Sequence, residues 1–212
     1  METPDYIERL RIVGGNLALD FVNTVDGEPD GPTGFDNLRS YEDLVAWGHR
    51  VGILSEERAR RLLREARRRS SEAEAVHDRA LELRDDLYEL FRAIARGTGP
   101  SPGGLEALGR AESEALSRAR LAPGEEGFVW EWPDDGDLAV VLWPVVHAAT
   151  ELLTSGPLDR VKACVGCHWL FVDESRNRSR RWCTMEVCGT HEKVRRYLER
   201  RAARRKRGES EE

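Results

Sequence analysis

The sequence predicts a mostly helical α+β protein in two parts: a helical N-terminal domain with a small β-hairpin, and a small four-cysteine module that ends in a basic helix. Amphipathic helical periodicity fills most of the first 157 residues, and all four cysteines lie between positions 164 and 188. The 212 residues suffice for one ordinary domain and a small module. We therefore assign 1–157 to the N-terminal domain, 158–207 to the C-terminal module and 208–212 to a disordered tail.

Capping residues and glycines divide the N-terminal domain into helices. Asn16, Ser40 and Ser55 precede apolar runs of helical spacing, and Gly97 ends the longest run. For the first run, a strand remains an alternative. The predicted helices cover about 17–24, 41–51, 56–69, 72–96, 105–121 and 144–153, with loops over 26–37 and 98–104.

One segment has the pattern of a β-hairpin. Phe128–Trp132 and Leu138–Leu142 are rich in β-branched and aromatic residues, and they flank the turn-forming stretch Pro133–Asp137. We expect these two runs to pair as antiparallel strands.

Charge is distributed unevenly along the chain. The net charge is −6, but residues 158–212 hold 15 basic and 9 acidic residues, a net of +6, which leaves −12 for the rest. A basic end on an acidic body is typical of a polyanionic partner, although a solvated charged terminus has the same composition. The chain has no apolar run of the roughly 18 residues that a membrane helix needs, and no secretory signal pattern. We expect a cytoplasmic location and no membrane partner.

The cysteine spacing is C-x2-C-x15-C-x4-C, formed by Cys164, Cys167, Cys183 and Cys188. Two such pairs supply four thiolates for a tetrahedral zinc ion, with no open position for catalysis. The alternatives are four free thiols or a redox pair. His168 and His191 could each replace a cysteine, but with four cysteines present we expect them beside the metal or at the surface.

A basic helix is predicted to follow the last cysteine, with Thr190 as its cap. One side carries cations that could contact phosphates, and two arginines before the third cysteine could support them. We assign these DNA-contacting roles to Lys193, Arg196, Arg200 and Arg204, with Arg180 and Arg181. The apolar side, with Val194, Tyr197, Leu198 and Ala202, is expected to face the metal core.

Two segments carry a family resemblance. The run from Cys167 to Gly189 resembles the CGNR zinc finger of bacterial regulators, and Leu19–Thr24 is similar to a motif of the ABATE domain that precedes this finger. The resemblance implies a stress-related transcription regulator that binds DNA through its finger. Thr190-His191 stands where the family has Asn-Arg, so a contact assigned to that arginine is lost here.

Asp20, Asn23 and Thr24 match the N-terminal motif, and two interpretations stay open for them. They either cap helices and bond buried backbone, or form a polar corner of a ligand pocket in a sensing domain.

We expect a zinc-dependent regulator of duplex DNA that is not an enzyme, with an unidentified small-molecule effector and a homodimer as further hypotheses. The alternative is a zinc ribbon that binds protein or RNA. A third reading, an enzymatic N-terminal domain with a targeting finger, has no visible catalytic constellation to support it.

Overall fold

A computed structural model describes residues 3–29, 31–124 and 127–208, with the backbone alone for 204–208. Within these ranges no helix is long and apolar enough to cross a lipid bilayer. Of the tail predicted for 208–212, only Gly208 is described, as the last residue of a helix, and the rest lies outside the described residues.

Seven α-helices form most of the described part of the N-terminal domain, and the predicted caps begin three of them. Asn16, Ser40 and Ser55 each accept a hydrogen bond from an N–H in the first turn of the helix that follows. The first run is a helix, so the strand alternative is wrong. The helices are α1 (Asp5–Glu8), α2 (Leu17–Val22), α3 (Tyr41–Arg50), α4 (Glu56–Arg68), α5 (Ser70–Ala95), α6 (Pro102–Ser117) and α7 (Trp143–Thr154).

Helix α2 is the centre of the domain. It packs against α5 and α7, and five of its six residues are buried. The ring of Phe21 lies 5.2 Å from that of Trp47 on α3, and neither side chain is exposed. Burial of two large aromatic residues fixes the orientation of α2, and with it the polar residues at its C-terminal end.

The stretch predicted as a loop over 26–37 contains a short hairpin, β1 (Val25–Gly27) and β2 (Thr33–Asp36). Arg84 of α5, which is 5% exposed, holds the base of this hairpin. Its guanidinium donates to both carboxylate oxygens of Asp36, at 2.7 and 2.6 Å. The loop prediction was therefore wrong for the strand residues within 26–37.

The predicted pairing of Phe128–Trp132 with Leu138–Leu142 is wrong, although the first of these runs forms a strand. Gly127–Glu131 (β4) pairs with Arg120–Gly124 (β3), so the helix predicted over 105–121 is wrong at Arg120 and Leu121. Leu138–Val141 instead forms a 3₁₀ turn whose residues are at most 8% exposed. A surface hairpin buries only one face, so a run of apolar residues that is buried on all sides is unsuited to it.

Candidate zinc centre and its attachment to the N-terminal domain

The C-terminal module begins with an antiparallel hairpin, β5 (Val161–Ala163) and β6 (Leu170–Val172). Its turn carries the first cysteine pair, and the N–H of Cys164 donates to the carbonyl of Trp169 at 2.9 Å. A Cβ at Gly166 would lie 3.0 Å from the Cβ of Cys188. Glycine at this position therefore lets the two cysteine pairs approach each other.

The second cysteine pair lies at a π-helical turn close to the first pair. Cys183 precedes, and Cys188 belongs to, a π-helical turn over Met185–Gly189. The hydroxyl of Thr184 caps this turn by accepting from the N–H of Val187 at 3.4 Å. Thr190, predicted as the cap, instead has helical backbone angles and donates its hydroxyl to Met185, so that prediction was wrong.

The four sulphur atoms have the dimensions of a metal site. They all lie within 4.8 Å of one another, and Cys183 Sγ is 3.6 Å from the sulphurs of both Cys167 and Cys188. A disulfide would need about 2 Å, and all four cysteines are free. Zn–S bonds of about 2.3 Å give a tetrahedron with edges of about 3.8 Å. The cofactor of this site is zinc.

Electrostatics also favours a cation between these sulphurs. Hydrogen bonds from Cys167 and Cys183 lower the pKa of Cys164 to about 2, because the thiols donate to its thiolate. The same bonds raise the pKa of Cys167, and that of Cys183 to about 12. Burial raises the pKa of Cys188. A zinc ion takes all four sulphurs as thiolates, so its binding releases protons from the cluster.

Neither histidine near the cluster joins the four sulphurs. His168 is 7% exposed and its ring stacks on Tyr88 of α5, with ring centroids 3.8 Å apart. His191 is exposed. The group of metal-ligating side chains in the described part of the chain is formed by cysteines alone.

A buried carboxylate and an arginine hold the loop between the cysteine pairs. Asp173, fully buried, accepts from Lys162 Nζ at 2.6 Å and from the N–H groups of Ser175 and Arg180. Although burial alone would raise it, these donors hold the pKa of Asp173 well below its usual range. The buried carboxylate of Asp173 therefore holds the loop that connects the two cysteine pairs.

The side chain of Arg180 connects the module to the N-terminal domain. Its guanidinium donates to the carbonyls of Val13, Val172, Trp182 and Cys183 and lies 4.1 Å from the ring centroid of Phe171. These bonds engage four of the five guanidinium N–H groups, so a bidentate contact with a phosphate would require at least one of them to break. Arg180 therefore has a structural role, and a DNA contact at this residue stays an untested prediction.

Asn23, at the end of α2, forms hydrogen bonds to the module through both the nitrogen and the oxygen of its side-chain amide. Nδ2 donates to the carbonyl of Leu170 at 2.8 Å, and Oδ1 accepts from the Leu170 N–H at 2.8 Å. Asn23 is 1% exposed. It thereby acts as a further strand partner for β6, a role that sequence reasoning missed because the partner lies 147 residues away.

Other backbone contacts extend the same attachment. The indole of Trp169 donates to Val25 O at 2.9 Å, and the N–H of His168 donates to Gly27 O at 3.0 Å. The N–H of Val172 donates to Gly14 O at 2.8 Å. The module is thus held along β6 rather than suspended from a linker.

Asp20 and Thr24, the other two motif residues, also bond within the chain. Asp20 Oδ1 accepts from the N–H of Gly14 at 2.7 Å, and the Thr24 hydroxyl donates to the carbonyl of Phe21 at 2.7 Å. Both are buried. All three motif side chains therefore have partners in the chain, and a ligand pocket at these residues stays an untested prediction.

The burial of Asp20 has a consequence for stability. Desolvation raises its pKa from 3.8 to about 6, so the folded state pays for a buried charge that the unfolded state does not. The resulting loss of stability begins as the pH rises above 3.8 and is complete above 6. We expect the free energy of unfolding of the wild type, relative to that of Asp20→Asn, to fall by roughly 2 kcal/mol between pH 4.5 and 7.5. Urea unfolding of both proteins with equal zinc tests this, and a difference independent of pH would contradict it.

Helix α8 (Thr190–Gly208) extends away from this core. Every described side chain from Thr190 to Ala203 is exposed except that of Glu192, which is partly buried. Val194, Tyr197 and Leu198 are 52%, 62% and 55% exposed. They do not face the metal core as predicted, because α8 contacts mainly the π-helical turn at its own start.

The cations of α8 differ in their surroundings. Glu192 accepts from Arg195 at 2.6 Å and from Arg196 at 2.8 Å. Lys193 and Arg200 form no ion pair with the described residues and are exposed. The side chain of Arg204 lies outside the described residues. Arg181, before the third cysteine, is exposed beside the ring of Trp182.

The fold and the site define a zinc-finger protein with a helical N-terminal domain. Residues 15–156 match the ABATE family, described as "Putative stress-induced transcription regulator", and residues 160–201 match the CGNR zinc finger. The chain belongs to the ABATE family and carries a CGNR zinc finger, which confirms the resemblance of both segments. No curated protein matches the chain.

Proposed function

We propose that this protein is a cytoplasmic, zinc-dependent transcription regulator that binds duplex DNA through α8. The observation that carries the proposal is the exposure of α8: a helix of about 28 Å presents its cations to solvent from a metal-fixed base. The leading phosphate contacts are Lys193 and Arg200 on α8, together with Arg181 from the loop before Cys183. Arg196 is already paired with Glu192, which would weaken its attraction for a phosphate. The sequence spacing puts Arg204 on the same side of the helix as Lys193 and Arg200.

Removal of two free cations should weaken DNA binding in a salt-dependent way. For Lys193→Gln/Arg200→Gln, we expect the slope of log K against log salt to decrease by about 1.8, because each lost phosphate contact contributes about 0.9. Fluorescence anisotropy of the zinc-loaded protein on a labelled duplex, at several NaCl concentrations, measures this slope.

A matched control separates a local contact from a change of net charge. Arg64→Gln/Arg67→Gln removes two exposed arginines of α4, on the acidic N-terminal domain, and should leave the slope unchanged. Equal effects of the two double variants would contradict a specific role for α8. Failure of the wild-type protein to shift genomic DNA fragments at low salt would overturn the proposal itself.

The exposed apolar residues of α8 favour one alternative. Val194, Tyr197 and Leu198 together offer a surface for a protein or for RNA, since a helix that contacts phosphates alone does not need them. RNA that displaces labelled duplex more strongly than unlabelled duplex does, or co-purification with a single protein, would support this alternative.

The N-terminal domain would serve sensing or self-association. Neither matched family is described as enzymatic, and we propose that the chain is not an enzyme. A homodimer would suit a regulator that reads symmetric sites. Light scattering in the presence and absence of duplex DNA measures the oligomeric state.

A further inference from the structure

A groove of about 470 Å³ lies between α5 and α6 in the N-terminal domain, and we call it the α5–α6 groove. Its floor consists of the buried side chains of Leu87, Leu90 and Leu108. Leu83 and Ala111 line it as well and are partly exposed. An apolar groove between two helices can accept the apolar side of a further helix.

The free charges at the rim of this groove are negative. Glu82 and Asp86 of α5 line it and are exposed, and their side chains form no ion pair or hydrogen bond with the residues that the structure describes. The two arginines that line the groove already have partners. Arg79 donates to Glu114 at 2.6 Å, and Arg110 lies 4.0 Å from a glutamate one turn earlier in α6. The groove therefore favours a partner that is both apolar and basic.

One side of α8 has this chemistry. Val194, Tyr197 and Leu198, all more than half exposed, occupy positions i, i+3 and i+4, which is the spacing of a helix that docks in a groove. Arg201, at position i+7, lies on the same side of the helix. It is exposed and has no ion pair with the described part of the chain. The same chain thus carries an apolar, basic helix side and an apolar groove with an acidic rim.

The other surfaces of the protein match α8 less well. Within one chain, α8 contacts mainly the π-helical turn that holds Cys188 and continues directly into the helix, so bound zinc fixes the direction of α8. A second α8 would be repelled by its like charge. The exposed apolar hairpin with Phe128 offers no free acidic group beside it, because Glu131 there is paired with Arg120 at 3.0 Å. The groove of another copy is the complementary surface.

We propose that the α5–α6 groove binds the apolar side of α8 from a second copy of this chain, and that two copies exchange these helices in a reciprocal dimer. Tyr197 and Leu198 enter the groove, and Arg201 approaches Glu82 and Asp86. Two equal contacts of this kind satisfy two-fold symmetry. The apolar side lies roughly 100° around the helix axis from the cations proposed to contact phosphate, so the dimer leaves those cations free. This contact specifies the self-association proposed for the N-terminal domain and does not depend on DNA binding.

Sedimentation velocity of the zinc-loaded full chain without DNA tests the dimer. We expect the wild type to show an equilibrium between monomer and dimer that depends on concentration. Glu82→Lys/Asp86→Lys changes the groove, and Tyr197→Ala/Leu198→Ala changes the helix. Each double variant should raise the dimer dissociation constant at least tenfold, as expected for the loss of a central contact. All four side chains are exposed, and zinc content and thermal midpoint establish that each variant is folded.

A mixture of these two double variants distinguishes pairing of helix with groove from pairing of like surfaces. The groove variant retains its helix, and the helix variant retains its groove. Together they should form a heterodimer with one intact contact, which is tighter than the self-association of either variant alone. A groove variant that dimerised as well as the wild type would indicate pairing of two α8 helices and would overturn the proposal.

Glu74→Lys/Asp78→Lys is the matched control. It makes the same change of net charge at two other exposed carboxylates of α5, which do not line the groove, and it should leave the dimer unchanged. Equal weakening by this control and by the groove variant would contradict a contact at the groove. A wild type that stays monomeric at every concentration would overturn the dimer. Neither result would bear on DNA binding, since no DNA is present.

Discussion

Cys183→Ser is expected to cost the protein its zinc and to unfold the C-terminal module. Cys183 is 4% exposed, and its sulphur lies 3.6 Å from those of Cys167 and Cys188, so serine at this position removes one of the four thiolate ligands. Zinc sites of this kind contribute folding free energy on the order of 10 kcal/mol at neutral pH. Atomic absorption should show one zinc per wild-type chain and almost none in the variant.

Loss of zinc should also destabilise the N-terminal domain. Leu170 and Phe171 of β6 are fully buried in the common core, so an unfolded module exposes apolar surface of both parts. We expect a lower thermal midpoint for the whole chain, measured by circular dichroism. Chelation of zinc from the wild type should reproduce the variant, and re-added zinc should restore only the wild type.

The histidines provide the control for ligand identity. His191→Gln changes an exposed side chain next to the centre and should retain one zinc per chain. If Cys183→Ser held zinc as tightly as the wild type while His191→Gln released it, the four-cysteine assignment would be wrong.

What could be predicted from the sequence depended on local interactions. The caps at Asn16, Ser40 and Ser55 act on N–H groups two or three residues away, and they begin the helices as predicted. The cysteine spacing predicted the zinc site for the same reason, since the two cysteines of each pair are only a few residues apart in the chain. Both signals are contained in short windows of the chain.

The errors arose where a distant partner decides the structure. The run Leu138–Leu142 has the composition of a strand, but it is buried on every side, and burial is not visible in a short window. The apolar side of α8 has helical spacing, yet its residues stay exposed to solvent in the part of the chain that the structure describes. Asn23 looked like a cap or a ligand group because β6, its partner, lies at the other end of the chain.

The second large effect is expected at Asn23 itself, because it joins the two parts of the chain. Asn23→Ala leaves the buried N–H and C=O of Leu170 without their partner at this site, at a cost of about 1–3 kcal/mol for each group. We expect the free energy of unfolding, measured in urea at saturating zinc, to fall by roughly 2–5 kcal/mol. Zinc affinity should fall as well, since the amide supports the hairpin that carries the first cysteine pair.

Asn37→Ala is the matched control that separates attachment from general destabilisation. Asn37 is also a buried asparagine, 4% exposed, but its amide donates to Thr24 within the N-terminal domain. The Asn37→Ala substitution should lower the free energy of unfolding but leave the zinc affinity unchanged. Competition with a chromogenic chelator measures that affinity. If both variants weakened zinc binding equally, or neither did, Asn23 would stabilise the fold without supporting the metal centre. A weaker zinc affinity in Asn23→Ala alone would mean that the geometry of the zinc centre depends on the domain to which the finger is bound.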